Sequence, residues 1–138
     1  MIVVDTNVIA SLVLPTSEET ASAVALLQAD RDWSAPMLWR SEFCNILATG
    51  VRNGWLNLAQ AHEALGVAEE LMEGASFEVA ATVVLETAVA SRCTAYDSEF
   101  VVLARDLGVR LVTLDSSILK AFPEIAVSLR DFGGRVGA

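Results

Sequence analysis

The sequence predicts an α/β domain built on a parallel sheet, and three observations support this fold class. Short runs rich in Val, Ile and Leu alternate along the chain with stretches that have helical spacing. Such alternation of strands and helices is typical of parallel sheets. The length of 138 residues suits one domain, and no repeat or linker divides it. We therefore treat 1–138 as a single domain, with a flexible glycine-rich tail expected over 131–138.

Most of the predicted strands are short segments of apolar and β-branched residues, which is the composition of a buried strand. They cover 1–4, 33–35, 77–79, 110–114 and 125–129. The helices between them show apolar residues three and four positions apart. They cover about 16–29, 38–53, 57–72, 83–92 and 98–107, with a short helix ending near 122. The helix over 83–92 has little polar face, so we expect it to be mostly buried.

Some helix ends carry recognisable capping residues. Thr16 with Glu19, and Asn57 with Gln60, have the spacing of a capping box, in which two side chains bond reciprocally to the first backbone N–H groups. Gly54 is predicted to end the helix that precedes it, because glycine readily adopts the left-handed conformation found after a helix.

Composition bears on the partners of the chain. The net charge is −9, which taken alone argues against nucleic-acid binding, because phosphate contacts need Lys and Arg. The hydrophobic fraction is 54 % and the mean hydropathy is +0.49, so we expect some apolar surface to meet a partner. Trp55 follows a predicted helix end and is a candidate for such a surface, since aromatic residues are enriched at interfaces.

The sequence also bears on localisation. No apolar stretch reaches the roughly 18 residues of a membrane span, and no basic segment precedes the first apolar run as in a signal peptide. The two cysteines, Cys44 and Cys93, do not form a disulfide framework. We therefore expect a cytoplasmic protein with no membrane association.

Two aspartates stand at the ends of predicted strands. Asp5 follows the first strand directly, and Asp115 follows the strand over 110–114. In open parallel sheets ligands bind beyond the carboxyl ends of strands, where the strand order reverses. The two side chains are therefore candidates for one site.

Two further acids lie on helices beside apolar positions. Glu42 shares a helix face with three apolar and two uncharged polar residues, and Asp97 opens a helix whose inward face is apolar. Neither face contains a Lys or Arg, and a buried carboxylate without a partner is costly. A shared cation would explain all four acids together.

Each acid also has a simpler interpretation. Asp5, Asp97 and Asp115 could each be only the capping residue of a helix, which is the commoner role of an aspartate in that position. Glu42 lies too far inside its helix to be a cap, but it could sit at a half-exposed edge.

The ligand types select the metal. Oxygen-only ligands suit Mg²⁺ or Mn²⁺, whereas no cluster of Cys and His suggests zinc. The only histidine, His62, has no neighbours that would make a nucleophilic triad, and the chain lacks a glycine-rich phosphate loop.

Four segments resemble those of the PIN-domain nucleases, and in particular the VapC-type toxins of prokaryotic toxin–antitoxin pairs. The segments are MIVVDTNVI, the helical Glu42, AYDSEFVVLARDLG and LVTLDSSILKAF. The resemblance implies a three-layer domain in which a five-stranded parallel sheet of order 3-2-1-4-5 lies between helices. It also implies which residues hold the metal and carry catalysis: Asp5, Glu42, Asp97 and Asp115. Small polar residues beside them would orient ligands or water: Thr6, Asn7 and Thr113.

The function implied is hydrolysis of RNA phosphodiester bonds with Mg²⁺ or Mn²⁺. The same resemblance implies a homodimer and an antitoxin whose basic segment covers the acidic site. Glu99 is a candidate for an outer-shell acid of the site, although stabilising the first turn of its helix is the simpler expectation. Arg40 and Arg52 are candidates for guiding phosphates, although ordinary surface positions are the simpler expectation for both.

Two alternatives from other classes remain open. One is a phosphatase of the haloacid-dehalogenase kind with Asp5 as nucleophile, but such enzymes usually carry an Asp two residues later, where this chain has Asn7. The other is a non-catalytic PIN-like or receiver-like binding module, against which the four intact acids argue.

Overall fold

The computed structural model describes residues 1–14 and 18–136. Its five strands form a parallel sheet of order β3-β2-β1-β4-β5, as predicted. The strands are β1 (Ile2–Val4), β2 (Trp33–Pro36), β3 (Ser76–Phe77), β4 (Leu111–Thr113) and β5 (Ala126–Ser128).

The described residues form eight helices around this sheet. They are α1 (Thr6–Val13), α2 (Thr20–Ala29), α3 (Trp39–Arg52), α4 (Leu58–Leu71), α5 (Ala81–Ser91), α6 (Ala95–Leu107), α7 (Ser116–Ala121) and α8 (Leu129–Val136). Helices α1 to α4 and α8 pack on one another and form one group. Helices α5 and α6 form a second group, in which α6 lies against β1, β2 and β4. Within 1–14 and 18–136, no helix is both long enough and apolar enough to span a bilayer.

Strand β1 occupies the centre of the sheet. It pairs with β2 on one side, in the register Val3 to Ser34, and with β4 on the other, in the register Val4 to Val112. The chain runs from β1 through β2 to β3 and then crosses back to β4, so the strand order reverses between β1 and β4. A crevice is expected at the carboxyl ends of these two strands.

Several predicted helix ends are confirmed. Asn57 and Gln60 form the reciprocal capping box at the start of α4. Gly54, just after α3, has a φ of 82°, a left-handed conformation that suits glycine and few other residues.

Helix α1 was not predicted from the sequence. It begins directly after β1, and its N-cap is Asp5, whose carboxylate accepts a hydrogen bond from the Thr6 N–H. The segment contains β-branched residues that weaken helix propensity, and it continues the apolar run of the strand. The cap and the packing of α1 on α2 and α3 outweigh that weakness.

The prediction that the helix over 83–92 is mostly buried was wrong. Helix α5 covers that region but buries only Val84 and Thr87. Its outer face leaves Leu85 64 % exposed and Val89 75 % exposed. Because α5 packs chiefly on α6, the rest of its apolar surface has no cover within the described part of the chain.

Two further differences concern α2 and α8. The expected capping residue Thr16 lies outside the described residues. The Glu19 side chain makes no capping hydrogen bond to α2. The Glu19 carboxylate instead accepts a hydrogen bond from Arg130 Nε at 3.1 Å. The tail expected over 131–138 is helical as far as Val136, within α8. Helix α8 packs on α2 and buries Leu129. These contacts explain why the chain after β5 forms a helix.

Candidate active site

A cavity of about 380 Å³ opens at the carboxyl ends of β1 and β4. It brings together the four predicted acids, which come from the end of β1, from α3, from α6 and from the end of β4. Its described lining is Asp5, Thr6, Asn7, Leu38, Ser41, Glu42, Asn45, Ile46, Tyr96, Asp97 and Asp115. The cavity thus lies where the strand order reverses, as the sequence analysis expected.

Asp5 is buried beside the cavity, and a separate hydrogen bond holds each of its oxygens. Oδ1 accepts from the Thr6 N–H and Oδ2 accepts from the Thr113 hydroxyl, both at 2.7 Å. Burial raises the pKa of the Asp5 carboxyl, with repulsion from Asp97 and Asp115 adding to the rise and the two hydrogen bonds opposing it. The surrounding residues therefore fix this carboxylate in position while making its charge unfavourable.

Thr113 links two of the acids. Its hydroxyl donates to Asp5 and accepts a hydrogen bond from the Asp115 N–H at 3.0 Å. Asp115 in turn caps α7, because its Oδ1 accepts from the Ser117 N–H at 2.7 Å and the Ile118 N–H at 3.3 Å. The end of β4 is thereby fixed against the end of β1.

Glu42 lies in the first turns of α3 and is half-buried. The Thr6 hydroxyl donates to Glu42 Oε1 at 2.8 Å, which ties α3 to the start of α1. Burial raises the pKa of the Glu42 carboxyl, and repulsion from Asp5, Asp97 and Glu99 raises it further, against the hydrogen bond from Thr6. The half-exposed edge position expected as the simpler alternative is observed, and that edge faces the cavity.

Asp97 is not the cap of its helix. Helix α6 begins at Ala95, and the capping side chain is Thr94, whose hydroxyl accepts a hydrogen bond from the Asp97 N–H at 3.0 Å. Burial raises the pKa of the Asp97 carboxyl, with repulsion from Asp115 contributing. Capping thus describes part of the role of Asp5 and Asp115, and Asp97 also contributes to the start of α6, because its carboxyl interacts with the Thr94 side chain and backbone.

The donor set fits a hard divalent cation. Four carboxylates line the cavity, and its described lining includes no Lys, Arg or His that could neutralise them. Among the described residues, however, no group of three or more acids forms a ready-made metal-binding cluster. The lining therefore supplies ligand types that suit such an ion, without a pre-arranged coordination geometry among the described residues.

The other candidates from the sequence lie outside the cavity lining. The Arg40 guanidinium lies 5.8 Å from the centroid of the Trp39 ring, and Arg52 and His62 line an apolar groove between α3 and α4. Glu99 is half-buried on α6, and burial raises the pKa of its carboxyl. The first-turn role expected for Glu99 was wrong, because α6 begins at Ala95 and the acid in its first turn is Asp97. These positions favour the ordinary surface roles of the two arginines.

Sequence reasoning missed two residues near the site. Tyr96 lines the cavity next to Asp97, and Thr94 caps α6. Thr94 could have been found, because a threonine three residues before an acid is a recognised helix-start pattern. Nothing in the spacing of the sequence distinguished Tyr96 from an ordinary surface residue.

Comparisons with known proteins agree with this architecture. The PIN domain family matches residues 2–125. The structure resembles the crystal structure of PAE2754 from Pyrobaculum aerophilum, with a TM-score of 0.79 and 22 % sequence identity over 99 % of this chain and 96 % of that one. No curated protein sequence matches the chain. The family match covers most of the chain, so this protein belongs to the PIN-domain family, whose members are generally metal-dependent nucleases.

Proposed function

We propose that this protein is an endoribonuclease that hydrolyses RNA phosphodiester bonds with Mg²⁺ or Mn²⁺. The observation that carries the proposal is the convergence of Asp5, Glu42, Asp97 and Asp115 on one cavity whose described lining has no cationic side chain. Asp5 would be the central ligand, Glu42 and Asp97 would complete the first metal position, and Asp115 would complete a second position or hold the attacking water. A bound divalent cation activates water and stabilises the charge that develops on the phosphate.

The threonines of the site have positioning roles in this proposal. Thr113 and the Thr6 N–H fix the two oxygens of Asp5, so the carboxylate presents its remaining lone pairs to the cavity. The Thr6 hydroxyl orients Glu42 in the same way. Ligands held by neighbouring hydrogen bonds lose less freedom when an ion binds.

We further propose that the protein is the cytoplasmic toxin of a toxin–antitoxin pair and acts as a homodimer. The net charge of −9 and the acidic cavity suit a partner with a basic segment, because opposite charges attract across an interface. The exposed apolar side chains of α5 suit self-association, since that helix has one charged residue, Glu86. Growth arrest on expression in a bacterial host, and its relief by the product of a small adjacent gene, would support the toxin role.

The two alternatives have weaker support. A phosphatase with Asp5 as nucleophile would require an acid two residues later, and that position is Asn7. A non-catalytic module has no need for four acids around one cavity, because their repulsion costs stability.

The proposal is tested by incubating the protein with single-stranded RNA after dialysis against EDTA, and then with added Mg²⁺ or Mn²⁺. We expect no cleavage without metal and restored cleavage with either ion. The ions should also raise the melting temperature of the RNA-free protein, because a ligand that binds only the folded state stabilises it. Cleavage by protein shown to be metal-free by elemental analysis would refute the metal mechanism. A trapped aspartyl-phosphate would instead favour the phosphatase.

A further inference from the structure

Tyr96 is an exposed aromatic residue at the mouth of the acidic cavity. It is the only tyrosine in the chain and the only aromatic residue in the described cavity lining. The side chain is 61 % exposed. It lies in the first turn of α6, immediately before Asp97. Side chains on a helix lean towards its N-terminus, so the ring extends beyond the end of α6 on the cavity side.

The cavity also poses a binding problem for a polyanion. Proteins usually hold nucleic acid by neutralising phosphates with Lys and Arg. The described lining has no such residue and instead presents four carboxylates, which a divalent cation would offset only locally. Contacts that the described lining makes with RNA must therefore be ones that do not depend on a positively charged side chain.

Stacking of a base on an aromatic ring is such a contact. It contributes to single-strand binding whatever the sequence, because every base has a π-face. Uncharged polar side chains on the same lining, Asn45 and Ser41, can bond to a base edge or a sugar hydroxyl without repelling phosphate. The combination of an exposed ring with uncharged polar groups therefore fits an unpaired nucleotide.

We propose that Tyr96 is the stacking platform for the nucleobase next to the cleaved phosphate. This inference rests on the proposed ribonuclease function. In a duplex both faces of a base are covered by its neighbours, so only an unpaired base can lie on the ring. Tyr96 is thus a specificity-determining residue, and the carboxylates remain the groups that carry catalysis.

The test compares Tyr96→Phe, which keeps a ring, with Tyr96→Leu, which removes it. Trp55→Leu is the matched control, because Trp55 is the other exposed aromatic residue in the described chain and does not line the cavity. Binding of a fluorescein-labelled single-stranded RNA is measured by anisotropy in Mg²⁺, with each change made in an Asp97→Asn background to prevent cleavage. A second set of RNAs, each lacking one base, locates the stacked nucleotide.

We expect Tyr96→Leu to weaken RNA binding by about 5- to 150-fold, which corresponds to the loss of one base–aromatic stack. Tyr96→Phe and Trp55→Leu should bind nearly as tightly as the parent. One of the abasic RNAs should bind the parent protein weakly, with the affinity that intact RNA has for Tyr96→Leu. The same abasic RNA should bind Tyr96→Leu and the parent with equal affinity. In the otherwise native protein, Tyr96→Leu should raise KM for single-stranded RNA more than it lowers kcat.

Three results would overturn the inference in distinguishable ways. If the native protein cleaves RNA but Tyr96→Leu binds it as tightly as the parent, Tyr96 has no stacking role and the ribonuclease function stands. If the native protein neither binds nor cleaves single-stranded RNA with Mg²⁺ or Mn²⁺, the proposed function fails and the inference fails with it. A change in oligomeric state on Tyr96→Leu, without loss of RNA binding, would assign the ring to a protein contact.

Discussion

The Thr113 hydroxyl donates a hydrogen bond to Asp5 Oδ2 at 2.7 Å, although the two residues are 108 positions apart in the sequence. The sheet register explains the contact. Val4 lies beside Val112 on the neighbouring strand, so the next residue on each strand brings Asp5 beside Thr113. The pairing of β1 with β4 therefore positions the central carboxylate of the site.

Thr113→Val should damage both stability and activity. The change leaves Asp5 without one of its donors and the Asp115 N–H without its acceptor, which should cost about 1–3 kcal/mol in unfolding free energy. The pKa of Asp5 should rise further, so the loss should be larger at neutral pH than near pH 2.5, where the carboxyl is protonated in both the folded and the unfolded state. Chemical denaturation at both pH values measures this. Thr113→Ser keeps the hydroxyl and should be nearly silent; equal losses in both variants would argue against the hydrogen bond.

Glu42→Gln should abolish cleavage while leaving the fold intact. The glutamine amide oxygen can still accept from Thr6, but the negative charge that attracts a cation is gone. Loss of an outer partner of a metal ligand costs about 10- to 100-fold, and loss of the ligand itself should cost at least that. Glu69→Gln is the control, because Glu69 is an exposed glutamate on α4 that does not line the cavity. Equal RNA cleavage rates for the two variants would remove Glu42 from the site.

Asp97→Asn should stabilise the metal-free protein at neutral pH. The pKa of Asp97 is raised in the folded state, so its penalty is absent below the unfolded pKa of about 3.9, grows as the pH rises from there towards the folded value, and is complete above it. After allowance for solvent screening, the gain should be about 1 kcal/mol or less. The same variant should lose RNA cleavage, and Mg²⁺ should raise its melting temperature less than that of the native protein.

Asp106→Asn is the control for that comparison, because Asp106 is an exposed acid on the same helix. Its response to Mg²⁺ should match that of the native protein. An Asp97→Asn protein that cleaves RNA and responds to Mg²⁺ normally would show that Asp97 is not a ligand.

Leu85→Glu should convert the proposed homodimer to a monomer. A carboxylate in the middle of the exposed face of α5 could not be buried against a second copy without a large desolvation cost. Leu58→Glu is the matched control, since Leu58 is 63 % exposed on a different helix, α4. Light scattering at micromolar concentration measures the mass of each. A monomeric native protein, or a dimer that tolerates Leu85→Glu, would exclude this face.

The sequence could predict the sheet and the positions of the acids because both depend on local patterns. Asp5 and Asp115 directly follow apolar strands, and the reversal of strand order brings the ends of those strands together. Glu42 could be placed near them only through the face of its helix and the resemblance to PIN domains. The burial of α5 could not be predicted, because an apolar pattern shows that a surface needs cover but not which element supplies it.

Tertiary contacts and helix boundaries also explain why α1, the length of α8 and the exposure of Tyr96 were not predicted. Helix α1 follows β1 without a break in apolar residues, so its start depends on the Asp5 cap and on tertiary packing. The length of α8 depends on its contact with α2, which lies about a hundred residues earlier in the chain. The exposure of Tyr96 depends on where α6 begins relative to the cavity, and that boundary is set by Thr94.

The pairing of β1 with β4 also determines when the carboxylate site can form during synthesis of the chain. Ribosomes add about 5–20 residues each second, so Asp5 and Glu42 leave the ribosome seconds before Asp97, Thr113 and Asp115. Until β4 emerges, one side of β1 is unpaired and Asp5 lacks the hydroxyl that fixes it. The acidic cavity therefore cannot exist in a nascent chain that ends before β4. A ribosome-bound chain passes through most of its synthesis before the complete carboxylate site can assemble.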